Sequence, residues 1–237
     1  MKETGMLFKA PMVRALFDGS KTQTRRIMEP QPEPVPHRPG DYWWPCSAFQ
    51  SMVSVADTRA PGAHGMAGDA CPYGTHGDRI WVRETFFAYG RWETRFSTKK
   101  GRDEWHFVDM TTESDRAYQF DADKPDIPLA AGRGMTPGWY KRPAIFMPLH
   151  ACRILLEVTS VRVERLQDIS DADILAEGID TEALEESQER YDVVCKGSGA
   201  SGRATERTYW RDLWESTGGD WDANPWLWVI EFKRVMP

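Results

Sequence analysis

Asp18-Gly19-Ser20-Lys21-Thr22-Gln23-Thr24-Arg25-Arg26 lies near the start of a 237-residue chain. It brings together three cations and two threonine hydroxyls, directly after an apolar segment and a turn signal. A lysine close to a threonine can activate its hydroxyl, and paired arginines can hold a phosphate or a base edge. Upstream, Met6-Leu7-Phe8 reads as a short strand. Pro11 then suits a first helical turn, and Met12, Val13, Leu16 and Phe17 follow at helical spacing. Gly19 stops that helix, and Thr22 to Ile27 reads as a strand.

Residues 29–78 are rich in proline, glycine and small polar residues, and read as an insertion or lid of extended loop. Gly77-Asp78 marks a turn. Arg79 to Thr85 then reads as a strand with Ile80 and Val82 on one face and Arg79, Trp81 and Arg83 on the other. Short hairpin strands are expected around Trp92, Trp105, Phe107 and Tyr118, and loop from Pro125 to Pro143. Arg153 to Val163 is a strand in which Ile154, Leu156 and Val158 alternate with polar residues. Ser170 is a helix N-cap and Gly178 ends that helix. Thr181 to Glu189 reads as an acidic helix, Cys195 to Gly202 as a loop, and Thr205 to Glu215 as a helix. Trp226 to Lys233 is a strand whose Trp226, Trp228, Ile230 and Phe232 share a face.

Strands dominate, with helices between them, so the expected fold is α+β: a small curved sheet or β-barrel with flanking helices and long loop insertions. The net charge of −6 argues against a protein that coats duplex nucleic acid, while leaving room for a local basic pocket. The longest apolar run is too short for a membrane span, and the N-terminus has no secretory pattern, so the chain reads as cytoplasmic and non-membrane. The four cysteines then read as free thiols. Cys46, His64, Cys71 and His76 match no zinc-finger spacing, so no metal is expected.

Four pieces together resemble the ASCH family of the PUA-like superfamily. They are residues 18–26, Gly77-Asp78-Arg79-Ile80-Trp81-Val82-Arg83-Glu84, Leu156-Glu157-Val158-Thr159, and Trp228-Val229-Ile230-Glu231-Phe232-Lys233. Similar longer chains are frequent in phage and prophage sequences. The resemblance covers both ends and the middle strand of a single domain spanning 1–237, with insertions at 29–76 and 86–140. It implies a β-barrel-like fold with a cleft for a nucleobase or RNA. It further implies amidohydrolase activity that removes the acetyl group of N4-acetylcytidine or a related modified nucleoside, without a cofactor. The family's catalytic lysine, threonine and glutamate fall on Lys21, Thr24 and Glu157.

In that chemistry Thr24 attacks the acetyl carbonyl, Lys21 accepts its proton, and Glu157 positions the lysine or relays a proton to the leaving amine. Arg26 or Arg83 stabilises the oxyanion, Trp81 stacks on the pyrimidine, and Arg25 is a further contact to substrate. A regular strand from residue 21 would put Lys21 and Thr24 on opposite faces, so the pairing requires Lys21 to lie in the turn after Gly19. The alternative is a non-catalytic module that binds RNA or a modified base through the same residues. Glu157 reads equally as a surface residue pairing with Arg153 or Arg162, and Trp81 equally as core. Trp226 and Trp228 read as core.

Overall fold

The computed structural model describes residues 1–46, 50–55, 64–181, 183–186, 188–189 and 205–235. The Cys195–Gly202 loop, Cys195 itself and the side chain of His64 lie outside the described residues. The fold is α+β, mostly sheet with few helices. The largest sheet has five strands: β1 (Glu3–Leu7), β2 (Gln23–Ile27), β6 (Arg79–Arg83), β11 (Leu155–Arg165) and β12 (Trp226–Val235). Their order is β1–β6–β11–β12–β2, so β1 and β2 are edges and the expected barrel is not closed. One reason is visible at β2. Just before it, Lys21 forms an antiparallel bridge to Glu177, and the Thr22 N–H donates to the Ala176 carbonyl at 2.9 Å. This edge therefore meets the end of a helix rather than another strand.

The chain divides into two compact units. The first holds residues 1–4, 14–81 and 154–237; the second holds 5–13 and 82–153. In the first, β11 and β12 form the longest ladder. Val158 faces Phe232 and Ser160 faces Glu231, so Thr159 is an extra residue, a β-bulge. The bulge shifts the side-chain alternation by one, leaving Glu157 and Arg162 on one face despite their odd spacing. Leu156, Val158, Val161, Trp228 and Ile230 line the other face and are buried. Helix α1 (Ala10–Asp18) precedes Gly19, which adopts φ +84° as the turn requires. Phe17 is exposed, contrary to its expected place on the apolar face.

The described part of residues 29–78 is not wholly the expected loop. It carries β3 (Glu33–Pro34), β4 (Tyr42–Cys46), β5 (Ser51–Ser54) and α2 (His64–Ala70), with β3–β4–β5 forming a small sheet. Two aromatic contacts anchor β4 of this proline-rich segment. Trp44 meets Trp228 edge-to-face at 5.1 Å, and Tyr42 meets Trp226 at 5.2 Å. Trp226 and Trp228 are core, as expected. Helix α3 (Asp171–Ala176) starts where Ser170 Oγ accepts the Asp173 N–H at 3.1 Å. Residues 181, 183–186 and 188–189 are helical. Helix α4 (Glu206–Glu215) has Thr205 as its N-cap and buries Trp210 and Trp214 against Leu166, Ile169, Ile174 and Leu227.

The second unit is built on the hairpin β7 (Phe86–Ser97) and β8 (Arg102–Asp109), with β10 (Gly138–Arg142) and the short β9 (Gln119–Phe120) also paired to β7. The hairpin matches expectation. Strand β10 replaces part of the expected Pro125–Pro143 loop, because Trp139 and Tyr140 register with Tyr89 and Ala88. Glu84 is buried, and Arg153 holds both its oxygens, with Nε to Oε1 at 2.8 Å and Nη2 to Oε2 at 3.0 Å. Among the described residues no helix is long and apolar enough to cross a membrane.

Two glycines with positive φ separate backbone strain from crowding. Gly19 has open space around a built Cβ; at Gly178, φ +74°, a Cβ would stand 2.7 Å from the Cβ atoms of both Lys21 and Ala15. Gly19→Ala is expected to cost about 1 kcal/mol, the left-handed penalty alone. Gly178→Ala adds overpacking and is expected to cost about 3 kcal/mol. Urea denaturation of the two variants checks the order; equal midpoints would show that Lys21 does not need the close approach.

Candidate functional site

Four buried polar or charged positions, where apolar residues would be ordinary, set the site: Lys21, Gln23, Thr24 and Arg25 are buried, and Thr22 between them is exposed. Such groups fold inward only when their hydrogen bonds are met. The Lys21 Nζ donates to Glu177 Oε2 at 2.8 Å and to the Glu177 carbonyl at 2.7 Å. Arg25 Nη1 donates to the other oxygen, Glu177 Oε1, at 2.9 Å. One buried carboxylate is thus shared by two buried cations. Arg25 Nη2 reaches Glu164 at 3.0 Å and Asp173 at 3.4 Å. Gln23 Nε2 donates to the carbonyl and carboxylate of Asp173 at 2.8 and 2.9 Å. Arg162 completes the cluster, donating to Glu164 at 2.6 Å, to Asp173 at 3.1 Å and to Glu231.

Strand geometry explains the set. Gln23 and Arg25 share the face of β2 that α3 covers; their partners across β12 are Glu231 and Val229. Lys21 is not in a turn: it precedes β2 as an isolated bridge residue paired with Glu177, outside the regular strand that begins at Gln23. Its ammonium nevertheless turns to the Arg25 face, where Glu177 lies. Thr24 stands on the opposite face, paired with Ile230 in the register. Glu157 lies two strands from β2 and gives its carboxylate to Lys233 at 2.8 Å, not to Arg153 or Arg162. The carboxylate at Lys21 is therefore Glu177. Trp81 is half-buried on β6, and Arg83 belongs to the second unit, where its guanidinium donates to the Ile145 carbonyl.

Arg25 and Arg26 also line an open cleft of about 560 Å³, with Ile27, Glu29, Tyr73 and Trp214 among its other walls. Its size lies within the range of small-molecule sites. Gly219 closes one wall at a position no larger residue could take, since a Cβ there would strike the Trp214 indole. Burial pulls the Arg26 guanidinium below its usual value, opposed by Tyr73 and Glu177. Burial pushes the Tyr73 phenol up, opposed by the Arg26 charge. A guanidinium, a phenol ring and the exposed Glu29 carboxylate thus converge on one concavity.

Burial is also the largest influence on Lys21 and lowers its pKa. The Glu177 charge and hydrogen bond raise it, and Arg26 and Arg25 lower it further. Sequence reading places a site at Lys21–Arg26 but misses Glu177, Asp173, Glu29, Tyr73 and Trp214. Glu29 follows Arg26 by three residues, but nothing local marks the others: they become neighbours only when α3, α4 and the 71–74 segment meet β2. Among the candidates named for zinc, Cys46 and Cys71 are buried free thiols, and burial pushes Cys71 up to about 11. No family model, curated protein or solved structure matches the chain.

The shared carboxylate yields a stability cycle. Glu177→Gln leaves two buried cations against a neutral amide and is expected to cost about 3–5 kcal/mol, more than Lys21→Met, which leaves Arg25 still paired. The double variant should cost less than the sum of the two. The pH slope follows from the lowered Lys21 value. The unfolded chain, with Lys21 near its ordinary 10.5, holds a proton that the folded protein has released. Stability from this group therefore rises with pH between the lowered folded value and the ordinary one. Lys21→Met should remove that rise; chemical denaturation at stepped pH measures it, and an unchanged slope would show that Lys21 stays charged throughout.

Proposed function

We propose that this protein is an ASCH-type, PUA-like module that takes a nucleobase-bearing ligand in the cleft of Arg26, Tyr73, Glu29 and Trp214, as a modified nucleoside or one nucleotide of RNA. The PUA-like assignment rests on the four sequence pieces. The observation that carries the ligand reading is the cleft itself: a half-buried arginine beside an aromatic ring, in a volume roomy enough for a nucleoside. Arg26 can donate to the O2 and N3 acceptors of a pyrimidine or to a phosphate. Glu29 can accept from an exocyclic amine, as carboxylates do from cytosine N4. Tyr73 offers a ring for stacking. Behind them, the Lys21–Arg25–Glu177 cluster fixes β2, so Arg26 is presented from a rigid strand.

Hydrolysis of N4-acetylcytidine to cytidine and acetate is the second reading. One observation favours it: Lys21 has a lowered pKa and sits in a hydrogen bond to a carboxylate, the arrangement of a general base and its orienting partner. In this version Glu177 takes the part that the family resemblance gives to Glu157. Two features weigh toward binding instead. Lys21 is already engaged twice by Glu177, and Thr24 lies on the opposite face of β2 from Arg25.

Both readings meet in one experiment. Cytidine, N4-acetylcytidine and cytidine monophosphate are titrated by calorimetry, and the incubated mixtures are analysed for cytidine by mass spectrometry. Binding that Arg26→Ala weakens about tenfold or more, with N4-acetylcytidine recovered intact, is the expected result. Cytidine formation abolished by both Lys21→Ala and Thr24→Ala would establish the hydrolase. Neither binding nor turnover of any of the three would remove the cleft as a nucleoside site.

A further inference from the structure

The second unit has its own chemistry. Residues 5–13 and 82–153 carry 13 Lys and Arg against 10 Asp and Glu, a net of +3 within a chain of −6. Its sheet also presents aromatic side chains in a pattern that a core does not explain. On β7 the even positions share a face. Phe86 and Ala88, at one end of it, are buried with Phe120 and Met147. Further along, the face opens. Trp92, Phe107 and Tyr140 form an edge-to-face triangle with centroids 5.4–6.2 Å apart, and all three are half-buried. Beyond them Trp105 is 45% exposed and Phe96 65% exposed. The register places Trp105 opposite Thr94 and Phe107 opposite Trp92, on the same face.

Arginines lie over these rings. The Arg142 guanidinium stands 4.5 Å from the Phe107 centroid and 4.9 Å from that of Trp92; Arg133 stands 4.8 Å from Trp92. The backbone N–H of Trp92 donates to the Gly134 carbonyl at 2.9 Å, which holds the Arg133 segment beside β7. Among the described residues neither Arg133 nor Arg142 forms a salt bridge. Two carboxylates share this face: Asp109, whose charge acts on Arg142, is held by Thr111 at 2.6 Å and Tyr118 at 2.9 Å, and Asp103 stands opposite Phe96. Such cations, laid on a ladder of partly exposed rings, match the two needs of a nucleic-acid strand with unpaired bases. Phosphates meet charge and bases meet π-faces.

We propose that this face of the β7–β8–β10 sheet binds single-stranded nucleic acid, with bases stacking on Trp105 and Phe96 and phosphates paired to Arg133 and Arg142. None of these residues belongs to the Arg26 cleft, and either assignment can fail alone. The surplus of three charges suits a short strand held by stacking better than a duplex held by charge alone.

The test is fluorescence anisotropy of a labelled oligo-uridine of about a dozen nucleotides, titrated with the full chain at about 50 and about 200 mM salt. The wild type is expected to bind at the lower salt, and Phe96→Ala/Trp105→Ala to lose about tenfold or more. Both rings are exposed, and circular dichroism and melting confirm that the variant is folded. Arg133→Gln/Arg142→Gln should flatten the salt dependence, by about 0.7 in the log–log slope for each phosphate that is no longer neutralised. No binding at the lower salt overturns the proposal. So does equal competition by a duplex or by heparin, which would reduce the surface to plain charge. A binding defect in Arg26→Ala, with none in the aromatic and arginine variants, would assign the polymer to the cleft and overturn it equally.

Discussion

Everything around the N-terminal motif depends on the carboxylate of Glu177, which is buried and held at once by Lys21 and Arg25. Two cations and an anion withdrawn from water carry a desolvation cost of several kcal/mol each. Only close geometry offsets it, and the distances of 2.7–2.9 Å provide that for both cations, with the Arg25 Nε alone left without a partner in its guanidinium. The consequence is directional. Hydrophobic contacts would hold α3 against β2 in many registers, whereas a carboxylate gripped from both sides admits one. Gly178 belongs to the same constraint, since any side chain there would push Lys21 away. The cluster thereby fixes the edge strand that carries Arg26.

That edge also bears on the open sheet. A β-barrel closes by pairing its two edge strands, and unpaired edges otherwise invite association. Here the chain entering β2 uses its backbone on Ala15, Ala176 and Phe232, through the Lys21 and Thr22 amides and the Thr22 carbonyl. The segment where closure would begin is thus committed to a helix end. The same arrangement moves the lysine from the threonine. As a bridge residue ahead of the regular strand, Lys21 escapes strand parity, but the buried carboxylate beside it lies on the α3 side, and the ammonium goes there.

The elements with strong periodicity are legible in the sequence. Strands β6, β11 and β12, the Ser170 cap and the Gly178 stop all follow from local pattern, because each is set by residues within a few positions of one another. The 29–78 region is not legible. Its proline-rich composition reads as loop, whereas the β4 strand within it is anchored by Trp44 and Tyr42 meeting Trp228 and Trp226, a contact between segments far apart in the chain. The site divides in the same way. Lys21, Arg25 and Arg26 are visible as an unusual local cluster. Glu177, which belongs to no recognisable pattern, and Tyr73, inside the supposed lid, are not. Glu157 shows the opposite failure: it has the right residue type on a strand of the same sheet, but Lys233 on the adjacent strand takes its carboxylate.

Charge is distributed as unevenly as structure. With +3 on the second unit, the remainder of the chain carries −9, so the whole-chain value of −6 describes neither part. An acidic total argues against nucleic acid only if charge is spread evenly, and local potential decides what a surface attracts. In the first unit the buried Lys21 and Arg25 and the half-buried Arg162 are already neutralised by Glu164, Asp173, Glu177 and Glu231, and contribute little field outside. In the second unit Arg133 and Arg142 rest on rings rather than in salt bridges, and of the two only Arg142 also feels a carboxylate, that of Asp109. A cation–π contact keeps the charge available while fixing the side chain, so a phosphate arriving there meets an arginine that has already given up its freedom. That preorganisation distinguishes these two arginines from the salt-bridged ones around them.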